Sequence, residues 1–278
     1  MGANMKTRTQ AIFTTVGAIF LGVGFLHSSA QAAIVAQYHF NEIGGTTAAD
    51  SAGAFTGTLS PTGSSFAPGG IAGNAISLDR ATGGFVNTGT SFSGFLTGDF
   101  SLVLWVKTTT TELDTIAMGK HEAFTQNGYF VGINTTGGGG VANKANFVES
   151  DMVSNGTVSS TSVNDGAWHQ IVGVYRAGGS ESIYVDGSPA EASNATVAMV
   201  ANGAPFLIGG INVSGAATSR YTGLIDEVQV YNHALTDGQI DFLLANPTQT
   251  VVPEPGSAVL LGAGLLSGLG LGRRRRGV

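Results

Sequence analysis

From residue 33 to about residue 246 apolar and polar positions alternate in short runs, broken by glycine-rich turns. This period of two predicts β-strands, because successive side chains of a strand point to opposite faces. The runs fall at Ile34–Phe40, Ala75–Leu78, Phe100–Lys107, Tyr129–Asn134, Trp168–Tyr175, Ser182–Asp186, Pro205–Ile208 and Thr222–Tyr231. In Phe100–Lys107 one face carries Phe100, Leu102, Leu104 and Val106, which reads as core, and the other carries Ser101, Val103, Trp105 and Lys107. Trp105 is thus either an aromatic platform for a sugar ring or a tryptophan covered by a neighbouring loop. Trp168 and His169 read as a core tryptophan beside a hydrogen-bonded histidine. In Thr222–Tyr231 strict alternation puts Asp226 with Leu224, Val228 and Val230. A carboxylate among aliphatic residues needs a cation or several N–H donors to offset its burial.

Asp186-Gly187 reads as a tight hairpin turn, since both residue types tolerate positive φ. Residues 137–140 read as a flexible loop, and Val153–Ser162 as a loop or an edge. One short helix is expected near the end, with Thr236 as N-cap, Gln239 closing a capping box and Pro247 preventing extension. Short strands at regular spacing without a long helical period predict an all-β fold, an antiparallel β-sandwich or jelly roll.

The two ends follow another pattern. Lys6 and Arg8 precede an apolar run from Ala11 to Leu26, and small residues then lead to Ala30-Gln31-Ala32. This is the layout of a secretory signal peptide cleaved by signal peptidase after Ala32; the run is short for an uncleaved anchor. At the other end Val252-Pro253-Glu254-Pro255 precedes the apolar run Gly256–Gly272, and Arg273, Arg274, Arg275 and Arg276 follow at once. Seventeen residues span about 25 Å as a helix, enough for a thin bilayer. The arginines favour a cytoplasmic end. The chain therefore divides into a signal peptide (1–32), a β-rich domain (33–246) and a linker with a C-terminal tail (247–278), with hydrophobic targeting helices flanking the sandwich.

Charge narrows the partners. Net charge is −6, but six of the 12 basic residues lie in the two terminal segments and all 18 acidic residues lie between Glu42 and Glu254, so the middle carries −12. Such a surface has no basic stripe for nucleic acid, whereas divalent cations suit it. Cysteine is absent, which removes disulfides, thiolate metal sites and cysteine nucleophiles.

The tail, residues 252–276, resembles the PEP-CTERM sorting signal of bacterial exported proteins. That resemblance implies an exosortase-type transpeptidase acting at Pro253-Glu254-Pro255, transient inner-membrane association, and a product at the cell surface or in the extracellular matrix. A permanent tail anchor, paired through its GxxxG spacing, is the other reading. The β-rich domain resembles the laminin-G-like, concanavalin A-like jelly roll. The strings that carry the likeness are Tyr38–Glu42, Gly45–Gly53, Gly73–Asp79, Phe100–Lys107, Asp165–Val172, Ile183–Gly187 and Gly223–Leu235. It implies two curved antiparallel sheets face to face, and structural calcium near the first loop and last strand, where Asp50 and Asp226 stand. The loop Ser51–Phe55 carries fewer oxygen-bearing residues than relatives often have.

For catalysis, retaining glycoside hydrolysis needs two carboxyl groups about 5 Å apart. The nearest pattern, Glu149-Ser150-Asp151, has Ser154 where a third carboxylate is wanted, and Glu112-Leu113-Asp114 has the same deficiency. The sequence therefore points to a noncatalytic exported module for carbohydrate or a matrix polymer. A structural matrix protein without a discrete ligand is the alternative, and a hydrolase is the third reading.

Overall fold

The computed structural model describes residues 33–251, apart from residue 54 and residues 93–97, 123–126, 137–139, 150–155, 197–201 and 214–215. Both terminal targeting segments, with Ala30, Ala32, Pro253–Pro255 and Arg273–Arg276, lie outside the described residues, as do Asp151 and most of the loop at 137–140.

Two eight-stranded antiparallel sheets form the fold. The first contains β1 (Ile34–Tyr38), β4 (Ser64–Pro68), β5 (Asn74–Leu78), β7 (Phe100–Lys107), β12 (Trp168–Tyr175), β13 (Ser180–Val185), β14 (Ala192–Ala195) and β18 (Gly223–Tyr231). Its order is β14-β13-β12-β7-β18-β5-β4, with β1 pairing the second half of β18. The second contains β2 (Thr47–Ala48), β3 (Gly57–Leu59), β6 (Val86–Asn87), β8 (Thr115–Glu122), β9 (Asn127–Ile133), β10 (Lys144–Glu149), β11 (Thr157–Ser162) and β15 (Leu207–Ile208). Its order is β11-β10-β9-β8-β15-β6-β3-β2. A small hairpin, β16 (Ile211–Val213) and β17 (Ala216–Thr218), packs on the outside of β8.

The core lies between the sheets, as in aligned sandwiches. Phe100, Leu102, Leu104 and Val106 all enter it, as their alternation predicts. Gly173 sits where a Cβ would come within 2.6 Å of the Phe147 ring, so the two sheets approach closely there only because the side chain is missing. A second apolar cluster covers the outside of the first sheet. Val103, Val172, Val174, Tyr184 and Tyr231 pack there against Leu235, Ile240 and Leu243. Those residues belong to or flank α1 (Asp237–Ala245), which starts with the predicted capping box: Thr236 accepts from the Gln239 N–H and the Gln239 side chain accepts from the Thr236 N–H. The chain beyond α1 stays on the sandwich. Gln229 Nε2 donates to the carbonyls of Pro247 (3.2 Å) and Gln249 (2.8 Å), so the start of the expected linker is part of the fold.

Of the two readings for Val153–Ser162, the edge holds: residues 157–162 form the edge strand β11, at the end of the second sheet. Two expectations need correction. Asp186 and Gly187 do have positive φ, 55° and 105°, but they open a six-residue connection between β13 and β14 rather than a two-residue turn. Above all, the alternation of β18 breaks. The register against β7 shifts between Asp226 and Gln229, and Glu227 has φ 46°. This β-bulge reverses the phase of the strand. Ile225, Val228 and Val230 enter the core, and Asp226 lies on the outer face, paired with Trp105. It is not among Val228 and Val230.

Candidate functional site

A groove of about 710 Å3 opens where β5, β7 and β18 end, lined by Ser77–Asp79, Lys107–Glu112, Gly166 and Thr222–Leu224. Its wall is the β7–β8 connection, which carries four consecutive threonines, Thr108–Thr111. Threonine hydroxyls bond nearby backbone and so favour turns here over a longer strand. Thr108 Oγ1 donates to the Thr222 carbonyl at 2.6 Å and accepts from the Thr110 N–H at 3.0 Å, and the Glu112 N–H reaches Thr110 Oγ1 at 3.2 Å. Neighbouring loops then pin the wall. The Thr110 carbonyl accepts from Asn134 Nδ2 (2.9 Å) and Asn164 Nδ2 (3.1 Å), and Arg80 Nη1 donates to the Leu113 carbonyl at 2.7 Å. Thr109 and Thr111 remain exposed.

The groove thus offers exposed hydroxyls, an ammonium (Lys107), two carboxylates (Asp79 and Glu112) and the aliphatic side chain of Leu224. Asp79 is held below the usual carboxylate range by hydrogen bonds from Thr82 Oγ1 and the Ala81 N–H, so it stays ionised. A polar wall of fixed donors and acceptors beside apolar surface is the general form of a small-ligand site.

Trp105 lies one row deeper on the same outer face. It is 9% exposed, which does not leave a ring face open as a platform. Trp168 is half-buried rather than in the core, and donates its Nε1–H to the Gly69 carbonyl at 3.2 Å. His169 is hydrogen-bonded, with Nδ1 2.7 Å from Asp186 and Nε2 3.1 Å from Asp165.

The residues assigned to calcium sit as follows. Asp50 braces its own loop: Oδ1 accepts the N–H groups of Gln37 (2.8 Å) and Ala52 (2.9 Å), and Oδ2 accepts that of Phe55 (2.9 Å). Three backbone N–H groups thus occupy Asp50 and leave at most about one lone-pair direction of its carboxylate for a cation. Asp226 is fully buried, accepts from the N–H groups of Ile71 (2.7 Å) and Glu227 (2.8 Å), and is pushed up to about 7, chiefly by burial. Beside it, Glu227 Oε2 meets His39 Nδ1 at 2.7 Å, while Glu227 Oε1 and Glu42 Oε2 are buried with no hydrogen-bond partner. This corner carries more carboxylate than its single imidazole offsets, and it fits a hard cation better than Asp50 does. Among the described residues no group of three or more His, Cys, Asp or Glu is spaced to hold a metal ion, so backbone oxygens would have to complete the shell.

Inside the sandwich the sheets oppose two rows that sequence patterns did not single out as a group. Glu181, Tyr175 and Phe100 are cross-strand neighbours on the first sheet, and Glu149, Tyr129 and Lys120 on the second. The Phe100 ring lies 4.6 Å from that of Tyr129 and 5.0 Å from that of Tyr175, which places the rows face to face. Glu149 and Glu181 are 3% and 0% exposed. Burial and the nearby Glu149 push Glu181 up to about 9. The inward side of β13 shows as alternation in Glu181, Ile183 and Val185, which was the available signal for Glu181.

The sequence profile described as the concanavalin A-like lectin/glucanases superfamily matches residues 80–241, more than half of the chain. No curated protein matches. Among solved structures, domain 4 of the extracellular GH43 arabinanase AbnA from Geobacillus stearothermophilus, in complex with arabinotriose, is similar at TM-score 0.58 and 20% identity, over 77% of this chain and 99% of that one. The binding domain of Paraclostridial Mosquitocidal Protein 1 matches at TM-score 0.58 and 11% identity, over 77% of this chain and 52% of that one. Trypanosoma rangeli sialidase matches at TM-score 0.58 and 17% identity, over 77% of this chain and 33% of that one. At these identities the likeness is one of fold. The two packed antiparallel sheets and the match over residues 80–241 agree: the chain belongs to the concanavalin A-like lectin/glucanase superfamily.

Proposed function

We propose that this chain is a noncatalytic carbohydrate-binding module, and that the groove walled by Thr108–Glu112 takes a neutral segment of a polysaccharide or matrix polymer. The observation that carries the reading is the pinned threonine wall. Its backbone is fixed by Asn134, Asn164 and Arg80 before any ligand arrives, so little ordering entropy is lost on binding. The arabinanase domain seen with arabinotriose has the same fold, and that supports a sugar as the ligand class. Against catalysis, the groove carboxylate Asp79 is held ionised, the wrong state for a general acid. The coupled pair Glu149 and Glu181 lies inside the sandwich, without the exposure a glycosidic bond requires. The double variant Lys107→Ala/Glu112→Ala tests the site. In calorimetry against a panel of neutral tri- and tetrasaccharides, arabinotriose among them, its affinity is expected to fall about tenfold, as for the loss of one or two good polar contacts. A panel that gives no saturable binding to the unaltered protein would favour the structural-matrix reading.

Export and C-terminal processing belong to the same proposal. The apolar segments at 11–26 and 256–272, with Ala30, Ala32, Pro253–Pro255 and Arg273–Arg276, support signal peptidase and an exosortase-type enzyme as processing partners. The intact mass of the protein recovered from outside its native host is expected to lack residues 1–32 and the chain beyond the Pro-Glu-Pro motif. A mass retaining 256–278 would instead establish a tail anchor. Structural calcium is proposed at the Asp226 corner, with Asp50 only bracing the adjacent loop. Millimolar calcium is expected to raise the melting temperature of the unaltered protein and not of Asp226→Asn, because a ligand that binds only the folded state stabilises it.

A further inference from the structure

Resting on the carbohydrate reading, we infer that the groove continues into a roofed subsite in which Trp105 and the side-chain amide of Gln170 take one neutral sugar ring with vicinal hydroxyls, and that the glycine loop 69–73 is its roof. Gln170, Trp105 and Asp226 are opposed across β12, β7 and β18. Trp168, Lys107 and Leu224 form the next row, and Ser77 extends it on β5. Lys107, Leu224 and Ser77 line the groove, so the two rows join the open site to Trp105 without a break.

The roof is placed by its anchors. The Gly69 carbonyl accepts from Trp168 on β12, and the Ile71 N–H donates to Asp226 on β18. β7 is the strand between them, so residues 69–71 cross above its Trp105–Lys107 stretch. No side chain fits beneath at Gly70, where a Cβ would meet the Asn74 carbonyl at 2.2 Å and Asp226 Oδ2 at 2.5 Å. Gln170 is 1% exposed, yet neither Oε1 nor Nε2 has a hydrogen-bond partner. A buried amide with donor and acceptor both unmet is costly, and the pair matches two adjacent hydroxyls, one accepting and one donating. An indole face beside it supplies the apolar contact that sugar C–H groups need. The roof thus stands where the ligand would lie and competes with it.

The chain has two tryptophans, so the full chain carrying 15N-tryptophan gives two indole N–H signals to follow. Titration with the neutral oligosaccharides named above is expected to shift both, with Trp168 losing its bond to Gly69. Gly70→Ala, which pushes the roof off, is expected to bind at least fivefold tighter, because the open state is no longer a minor one. Ile71→Pro removes the roof's N–H donor to Asp226 without adding that clash, and is expected to act in the same direction. Saturable binding seen by calorimetry while the Trp105 signal stays still, or roof variants with unchanged affinity, overturns the subsite and leaves the groove reading intact. No saturable binding in any variant overturns both.

Discussion

Replacing Glu181 by Gln is expected to flatten the pH dependence of stability between pH 5.5 and 8.5. Glu181 is fully buried, and burial together with Glu149 raises it from an ordinary 4.5 to about 9 against a smaller lowering effect of Thr157. In the folded chain the carboxyl therefore keeps its proton throughout this window, while in the unfolded chain it has released it. The unfolded state binds fewer protons there, so stability falls as pH rises, by about 1.4 kcal/mol per pH unit from this one group. Above the folded value the loss is complete; below 4.5 both states are protonated and nothing is lost. Gln keeps the size and polarity of the neutral acid and cannot ionise. The unaltered protein should thus lose several kcal/mol between pH 5.5 and 8.5 relative to Glu181→Gln, on the same linkage. Urea denaturation at the two pH values measures it. Parallel slopes in the two proteins would show that Glu181 is ionised in the fold. Glu149→Gln is a useful companion: removing the neighbouring carboxylate should lower the Glu181 value, so that stability stops falling at a lower pH, and the two substitutions should not add.

The fold was legible wherever alternation ran unbroken, and the site was legible only in part. Phe100–Lys107 and Trp168–Tyr175 appear with the predicted bounds because each buries one face in the core along its whole length. The helix start at Thr236 was equally plain, since the capping box is local chemistry. β8 was missed: the register shifts between Ile116 and Met118, so Ile116 faces out while Met118 and Lys120 face in, and no single period fits the strand. The same kind of bulge moved Asp226 from the expected core face to the outer face. Leu207–Ile208 falls within the predicted run Pro205–Ile208, whereas its partner Val86–Asn87, too short to show a period, holds by position in the sheet. Glu149 drew attention for its spacing to Asp151, yet its electrostatic partner is Glu181, on the opposite sheet. Pairs of that kind are made by the packing of two layers, and no local spacing encodes them. The threonine wall at 108–111 was not singled out from the sequence, because its role depends on Asn134 and Asn164 arriving from other loops.

Lys120→Met is expected to stabilise the protein at pH 7 by about 3 kcal/mol, because each pH unit between an amine's folded and unfolded pKa is worth about 1.4 kcal/mol. Lys120 is 0% exposed, and its Nζ has no hydrogen-bond partner. It points inward beside Tyr129, on the side of that ring away from Glu149, and burial lowers it from 10.5 to about 8. The sign is opposite to that of Glu181. Below pH 8 the amine is charged in both states and the folded chain bears the full cost of desolvating it. Between 8 and 10.5 the folded chain releases its proton first, and the cost fades. Met keeps most of the four-carbon stem that fills the interior and removes the ammonium, so the gain should be large at pH 7 and nearly gone at pH 10.5. Lys120→Ala separates charge from volume, because it removes the ammonium but opens a cavity, which costs about 2–5 kcal/mol for a long side chain. Guanidinium melts of the three proteins at pH 7 and pH 10.5 decide the matter. A methionine variant no more stable than the parent at pH 7 would mean that the amine reaches water or a carboxylate in solution. A gain that persists at pH 10.5 would assign the effect to packing rather than to charge. Because Lys120 and Glu181 act in opposite directions along the pH scale, the unaltered protein at neutral pH bears the full Lys120 cost together with most of the Glu181 cost, and Lys120→Met combined with Glu181→Gln should remove both.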